Sequence, residues 1–126
     1  MRHHIPDKKR LVLLGKLGYG EVLDVGCHDL QNPYLKNGVG FDRLRPEKIL
    51  LNYKKFIQGG CEGIDTFFST SSFDTIVAGE IIEHIENPAS FLKGCHKILK
   101  EDGRLLVTTP NHYDLFIAIG SLLFIK

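Results

Sequence analysis

The sequence predicts an α/β fold, a mostly parallel sheet with flanking helices, and three observations carry that prediction. Short apolar runs alternate with helical stretches along most of the chain, the pattern of parallel strands joined by crossover segments. Residues 22–25 form one such run, Val-Leu-Asp-Val, closed by Gly26, as in a buried parallel strand that ends in a tight turn. Small or acidic residues stand at the carboxyl ends of three separate runs, at Asp24-Val-Gly26, at Asp42 and at Ala78-Gly-Glu80. In open parallel sheets ligands bind at that edge.

The elements follow in order. Pro6-Asp7 precedes a helix with Leu11, Val12, Leu14 and Leu17, which stops at Gly18-Tyr-Gly20. The first strand spans residues 22–25. Its acid, Asp24, is unusual in an apolar run, because a buried carboxylate is costly unless a donor or ligand satisfies it. Asn32-Pro33 and Asn37-Gly38 are breakers, so any helix after Gly26 is one or two turns long. Residues 39–42 form a second strand ending in Asp42, and residues 53–57 a third ending at Gly59-Gly60. Residues 73–79, Phe-Asp-Thr-Ile-Val-Ala-Gly, are a clearer strand. Glu80-Ile-Ile-Glu-His-Ile-Glu86 follows at helical spacing, with Ile81, Ile82 and Ile85 on one face. Asn87-Pro88 starts a further helix: Asn caps and Pro fits the first turn. Phe91, Leu92, Cys95, Ile98 and Leu99 recur there at helical period. Asp102-Gly103 then turns the chain into a strand over residues 104–109.

Composition narrows the function classes. The chain has 126 residues, enough for one domain, with 43% hydrophobic and 25% charged residues. A net charge of +1 gives no electrostatic case for nucleic acid or an anionic membrane as a partner. Cys27, Cys61 and Cys95 lie far apart without a Cys-x-x-Cys pair, which argues against a disulfide framework and suits the cytoplasm. No signal peptide is expected, and no apolar run reaches the roughly 18 residues of a transmembrane helix. Cys27 reads as a packing residue rather than a nucleophile. His3, His4, His96 and His112 read as surface residues.

Taken together, these motifs resemble the class I S-adenosylmethionine-dependent methyltransferases, whose sheet is Rossmann-like. Val22-Leu-Asp-Val-Gly-Cys27 is similar to their first motif, and Gly40-Phe-Asp42 to the second strand with its ribose-binding acid. Residues 73–84, with Asn87-Pro88, Phe91-Leu92, Ile98-Leu-Lys100, Gly103 and Thr109-Pro-Asn111, are similar to the stretch through strands four and five. The resemblance covers most of residues 22–111. It implies a cofactor site formed by Asp24, Gly26, Cys27, Asp42, Ala78 and Gly79. Glu62 is the match to the adenine-binding acid, with Asp65 as its competitor. In the family the first motif continues as Gly-x-Gly-x-Gly, whereas His28 and Leu30 stand here at the later glycine positions. A side chain at 28 is expected to crowd the amino-acid end of the cofactor.

Glu80, Glu83 and His84, at i, i+3 and i+4, would share one face of a helix. The set is similar to the Glu-x-x-Glu-His of quinone-biosynthesis O-methyltransferases and small-RNA 2′-O-methyltransferases, which hold a divalent metal. Oxygen donors with one imidazole suit Mg²⁺. The plainer reading has Glu80 and His84 lining the pocket mouth or capping a helix. His84 is also the candidate catalytic residue.

The expected organisation is a lead-in helix over residues 1–20, a cofactor-binding core over 21–112 and an apolar segment over 113–126. The usual last two strands are expected to be missing, leaving strand five with an open edge. That points to a homodimer, a missing C-terminal remainder or a lipid-like surface. The expected function is methyl transfer from S-adenosylmethionine to a small-molecule acceptor, at oxygen. The alternative is a non-catalytic binding or interaction module on the same fold. A nicotinamide dehydrogenase is disfavoured, since Gly-x-Gly-x-x-Gly is absent.

Overall fold

The computed structural model describes residues 7–28, 30–108, 115–119 and 122–125. They form one seven-stranded sheet. In chain order the elements are helix α1 (Asp7–Leu17), strands β1 (Val22–Val25), β2 (Gly38–Asp42), β3 (Tyr53–Gln58) and β4 (Phe73–Gly79), helix α2 (Pro88–Ile98), and strands β5 (Leu99–Thr108), β6 (Leu115–Ile119) and β7 (Leu122–Ile125). The strand order is β3-β2-β1-β4-β5-β6-β7. The first five strands are parallel, and the strand order reverses between β1 and β4.

Strand alternation sorts the core into two faces. Leu23 and Val25 of β1 pack with Phe41, Ile76, Phe91 and Ile98 on the α2 side. Val22 packs with Leu14 of α1, Leu35, Val77 and Leu106 on the other. Asp24 shares the parity of Val22 and therefore faces the α1 side, where its residue is only 6% exposed. Helix α1 ends as expected, with the Gly18 N–H donating to the Leu14 carbonyl at 2.8 Å. Helix α2 is capped by Asn87, whose side chain accepts the Ser90 N–H at 3.1 Å, and Pro88 occupies its first position.

Among the described residues between β1 and β2 there is no helix. Residues 30–37 form turns held by Asn32, which is buried. Asn32 Nδ2 donates to the Leu11 carbonyl at 3.0 Å, and Asn52 Nδ2 donates to the Asn32 carbonyl at 2.8 Å.

Three expectations are corrected. Residues 80–86 do not form a helix: Glu80 has a left-handed backbone (φ 57°), and only Ile82–His84 completes a single 3-10 turn before Ile85 becomes extended. Ile81, Ile82 and Ile85 nevertheless pack against the core. The strand expected from residue 104 begins at Leu99, with a register shift that absorbs the residues before Arg104. The apolar tail also does not leave β5 with an open edge. β6 pairs antiparallel with β5 and β7 antiparallel with β6, with Ile119 opposite Leu122. Two apolar runs separated by Gly120-Ser121 carry a hairpin signal in the sequence. Thr109-Pro-Asn111, His112, His3 and His4 lie outside the described residues.

Candidate functional site

A cleft of about 960 Å³ opens at the carboxyl ends of β1, β2 and β4. Of the residues expected to bind cofactor, Asp24, Gly26, Asp42, Glu62 and Gly79 line it. Cys27 and Ala78 do not. Cys27 packs with Tyr53 and Phe56, and Ala78 lies within the α2-side core. Burial pushes the Cys27 thiol up to about 12, the property of a packing residue.

Gly26 turns the chain into the cleft. Its φ is 79°, and its N–H donates to the Phe41 carbonyl at 2.8 Å. A Cβ there would stand 2.2 Å from Ile81 Cγ2, so the turn needs glycine for both conformation and space.

Asp42 fixes the next stretch of backbone. Its two carboxylate oxygens accept the His28 N–H at 2.8 Å and the Leu44 N–H at 3.0 Å. A carboxylate has about four acceptor positions, so both oxygens retain capacity for a ligand's hydroxyls. His28 is also among the residues that line the cleft.

Asp24 is the buried acid of the site. Burial raises its pKa to about 7, against the opposing effects of the Tyr53 hydrogen bond and the Arg10 charge, while the charge of Asp42 adds to the rise. The Tyr53 hydroxyl donates to Asp24 Oδ2 and itself accepts the Asn32 N–H at 2.7 Å. Burial is also the main cause that raises the Tyr53 pKa, so the phenol stays protonated.

Arg10 reaches the cleft from α1. Its Nε lies 2.7 Å from Glu80 Oε2, and the two side chains are 13% and 7% exposed. Gly79 makes room for it: a Cβ at Gly79 would stand 2.9 Å from Arg10 Nη1. Glu62 lines the cleft from a 3-10 turn (Cys61–Thr66). Its competitor Asp65 is not among the lining residues and pairs with Lys97 at 3.6 Å.

Glu80, Glu83 and His84 all border the cleft, but the expected convergence is absent. Glu80, with its left-handed backbone, stands outside the 3-10 turn that carries Glu83 and His84, and its carboxylate is engaged by Arg10. Among the described residues no group of three His, Cys, Asp or Glu side chains could hold a metal ion. The arrangement does not fit Mg²⁺.

Arg10, Tyr53 and Asn32 were missed as site residues by sequence reasoning. A signal existed for Arg10, since it shares the helical face of Leu14 and Leu17 at i+4 and i+7. For Tyr53 and Asn32 no local signal existed, because both act across the sheet.

The profile of a family described as "Methyltransferase domain" matches residues 2–122. The mitochondrial ubiquinone biosynthesis O-methyltransferase of Mus musculus is 33% identical over 117 residues, covering 79% of this chain and 31% of that protein. The chain therefore spans about a third of the length of the curated relative. A SAM-dependent methyltransferase from Archaeoglobus fulgidus superposes with a TM-score of 0.66 at 19% identity, over 84% of this chain and 52% of that one. The 1,6-didemethyltoxoflavin-N1-methyltransferase of Burkholderia thailandensis, solved with bound 1,6-didemethyltoxoflavin and S-adenosylhomocysteine, gives a TM-score of 0.63 at 13% identity, over 96% of this chain and 60% of that one. At those identities the two structures speak for the fold. Among the described residues no helix is long and apolar enough to cross a membrane.

Proposed function

The chain belongs to the methyltransferase-domain family, and from that membership we propose that it transfers a methyl group from S-adenosylmethionine to an oxygen of a small-molecule acceptor. One observation carries the reading: a single cleft gathers Asp24, Gly26, Asp42, Glu62 and Gly79 at the switch in strand order. The oxygen acceptor rests on the curated relative, which is named for O-methylation in ubiquinone biosynthesis. The bound cofactor would supply a sulfonium already activated for in-line displacement.

The chain's own residues have distinct tasks in this reading. Asp42 accepts hydrogen bonds from the ribose hydroxyls. Asp24, when ionised, faces the α-ammonium group that S-adenosylmethionine and S-adenosylhomocysteine share, and Arg10 offers a guanidinium to the cofactor's carboxylate. Gly26 and Gly79 keep the backbone open to close approach. Glu62 accepts from the adenine amine. His84 at the cleft mouth is the group we assign to take the acceptor's proton. Aligning acceptor with methyl group accounts for the rest of the acceleration, since proximity alone is worth several kcal/mol.

The test is calorimetric titration with S-adenosylhomocysteine. One-to-one binding that is lost in Asp42→Ala supports the assignment, and no binding at millimolar ligand overturns it. A methyltransferase assay with phenolic acceptors then tests the oxygen reading, with His84→Ala expected to lower turnover more than affinity. In the same proposal the protein works in the cytoplasm, where its three free thiols would stay reduced. Any self-association would use the outer edge of β7, and sedimentation velocity checks it.

A further inference from the structure

Gly40 of β2 stands beside Asp24 of β1 in the parallel register. A Cβ at Gly40 would lie 2.8 Å from Phe56 Cδ2, 3.0 Å from Cys27 Sγ and 3.3 Å from Tyr53 Cδ2. The missing side chain lets Tyr53, on the edge strand β3, cross the whole of β2. Its hydroxyl ends on Asp24, in the floor of the cleft. The direction of the hydrogen bonds follows from the donors. Asn32 has only its N–H to give at this point, so the tyrosine oxygen accepts there and directs its single proton at Asp24. Asn32 in turn is tied through its side chain to the Leu11 carbonyl of α1, one residue from Arg10. A buried chain of hydrogen bonds thus runs from α1 through the loop after β1 to the cleft acid. Each link polarises the next.

We propose that Tyr53 is a positioning residue of the cofactor site, which orients Asp24 toward the ligand, favours its carboxylate form against the cost of burial, and anchors the loop that replaces the glycine-rich turn. The proposal rests on the cofactor reading above. The loop lacks the second and third glycines of the first motif, and the tyrosine supplies what local backbone geometry does not. Tyr53 touches no cleft surface itself and acts only through Asp24 and Asn32.

The groups that bear on Asp24 come from every side. Arg10 of α1 and Tyr53 of β3 favour its charge, Asp42 of β2 opposes it, Cys27 lies beyond the end of β1, and β4 presents Val77 in register. Removing the tyrosine hydroxyl leaves burial and Asp42 acting against Arg10 alone. Asp24 should then hold its proton to higher pH.

Two measurements on the full chain test this. The first is an NMR titration of the Asp24 carboxyl carbon in the free protein, wild type against Tyr53→Phe. The second is S-adenosylhomocysteine affinity from pH 5.5 to 9. In wild type, affinity should fall as pH drops through the Asp24 titration, by up to tenfold per unit. In Tyr53→Phe both the carboxyl titration and the affinity fall-off should move to higher pH together. In Asp24→Asn, where the amide oxygen still accepts from Tyr53, affinity should be weaker and lose this fall-off. An Asp24 titration unmoved by Tyr53→Phe overturns the proposal. So does an affinity profile that stays fixed while the titration moves, which would leave Tyr53 a purely structural residue. Should Tyr53→Phe lose its fold by circular dichroism, the wild-type and Asp24→Asn profiles decide: a fall-off retained in Asp24→Asn overturns the proposal. Absence of binding by wild type at every pH overturns the cofactor reading itself, and the carboxyl titration separates the two failures.

Discussion

Asp42 accepts the backbone N–H of His28 at 2.8 Å, so the acid at the end of β2 both faces the cleft and holds the loop after β1. Asp42→Ala should remove a charge-assisted hydrogen bond to ligand, worth about 1.5–3 kcal/mol. It should also release the N–H groups of His28 and Leu44. Weaker S-adenosylhomocysteine binding by calorimetry, together with faster amide exchange at His28 and Leu44, is the expected result. Weaker binding with unchanged exchange would mean that neither backbone bond orders the loop.

His28 lines the cleft, and its side chain is expected to crowd the ligand there. Because Asp42 grips the backbone at residue 28 rather than the ring, His28→Gly should leave the loop's path intact while enlarging the site. Affinity for S-adenosylhomocysteine should rise by roughly tenfold, equivalent to about 1.4 kcal/mol. An affinity that is unchanged or lower would show that the loop follows a different path from the family's turn.

The Arg10–Glu80 pair is mostly shielded from water, so its two halves are not independent. Arg10→Met leaves a carboxylate in a poorly solvated place and should destabilise the fold by about 3 kcal/mol or more. The double variant Arg10→Met/Glu80→Gln should recover much of that loss, because no charge is then stranded. Urea unfolding of the wild type, the two single variants and the double variant completes the cycle. Additive single effects would show that the pair carries no coupling.

The legible parts of the fold and site were those encoded locally. Strand β1 emerged at residues 22–25 because apolar run, acid and turn glycine are adjacent in sequence. The Asn87-Pro88 start of α2 was equally direct. The helix expected after β4 failed because one left-handed residue, Glu80, re-aims the backbone, and the isoleucine spacing that suggested a helix serves a 3-10 turn just as well. The tail defeated periodicity since every residue in its two runs is apolar, which left the two-residue Gly120-Ser121 break as the informative feature. Five expected cofactor residues meet in one cleft because strand ends converge in this topology. The Tyr53–Asp24 bond spans three strands, and its sequence trace is only the absence of a side chain at Gly40.

Asp24 should also make stability depend on pH in a direction unusual for a carboxylate. Its folded pKa, about 7, lies above the ordinary 3.8, so the folded chain holds this proton more tightly than the unfolded chain. The associated stabilisation is fully present below about pH 4 and is lost as pH rises through about 7, at up to roughly 1.4 kcal/mol per unit. Ionised Asp24 is thus the less stable form of the fold and the form suited to a cationic ligand, a conflict expected of a functional group. Asp24→Asn cannot titrate. Urea unfolding of both proteins between pH 5 and 8.5 isolates the contribution, because groups that do not interact with Asp24 cancel in the difference. The variant should gain on wild type as pH rises to about 7, and the difference should stay constant above it. A difference that is flat across the whole range would mean that Asp24 ionises at an ordinary carboxylate pH, with Tyr53 and Arg10 fully offsetting its burial.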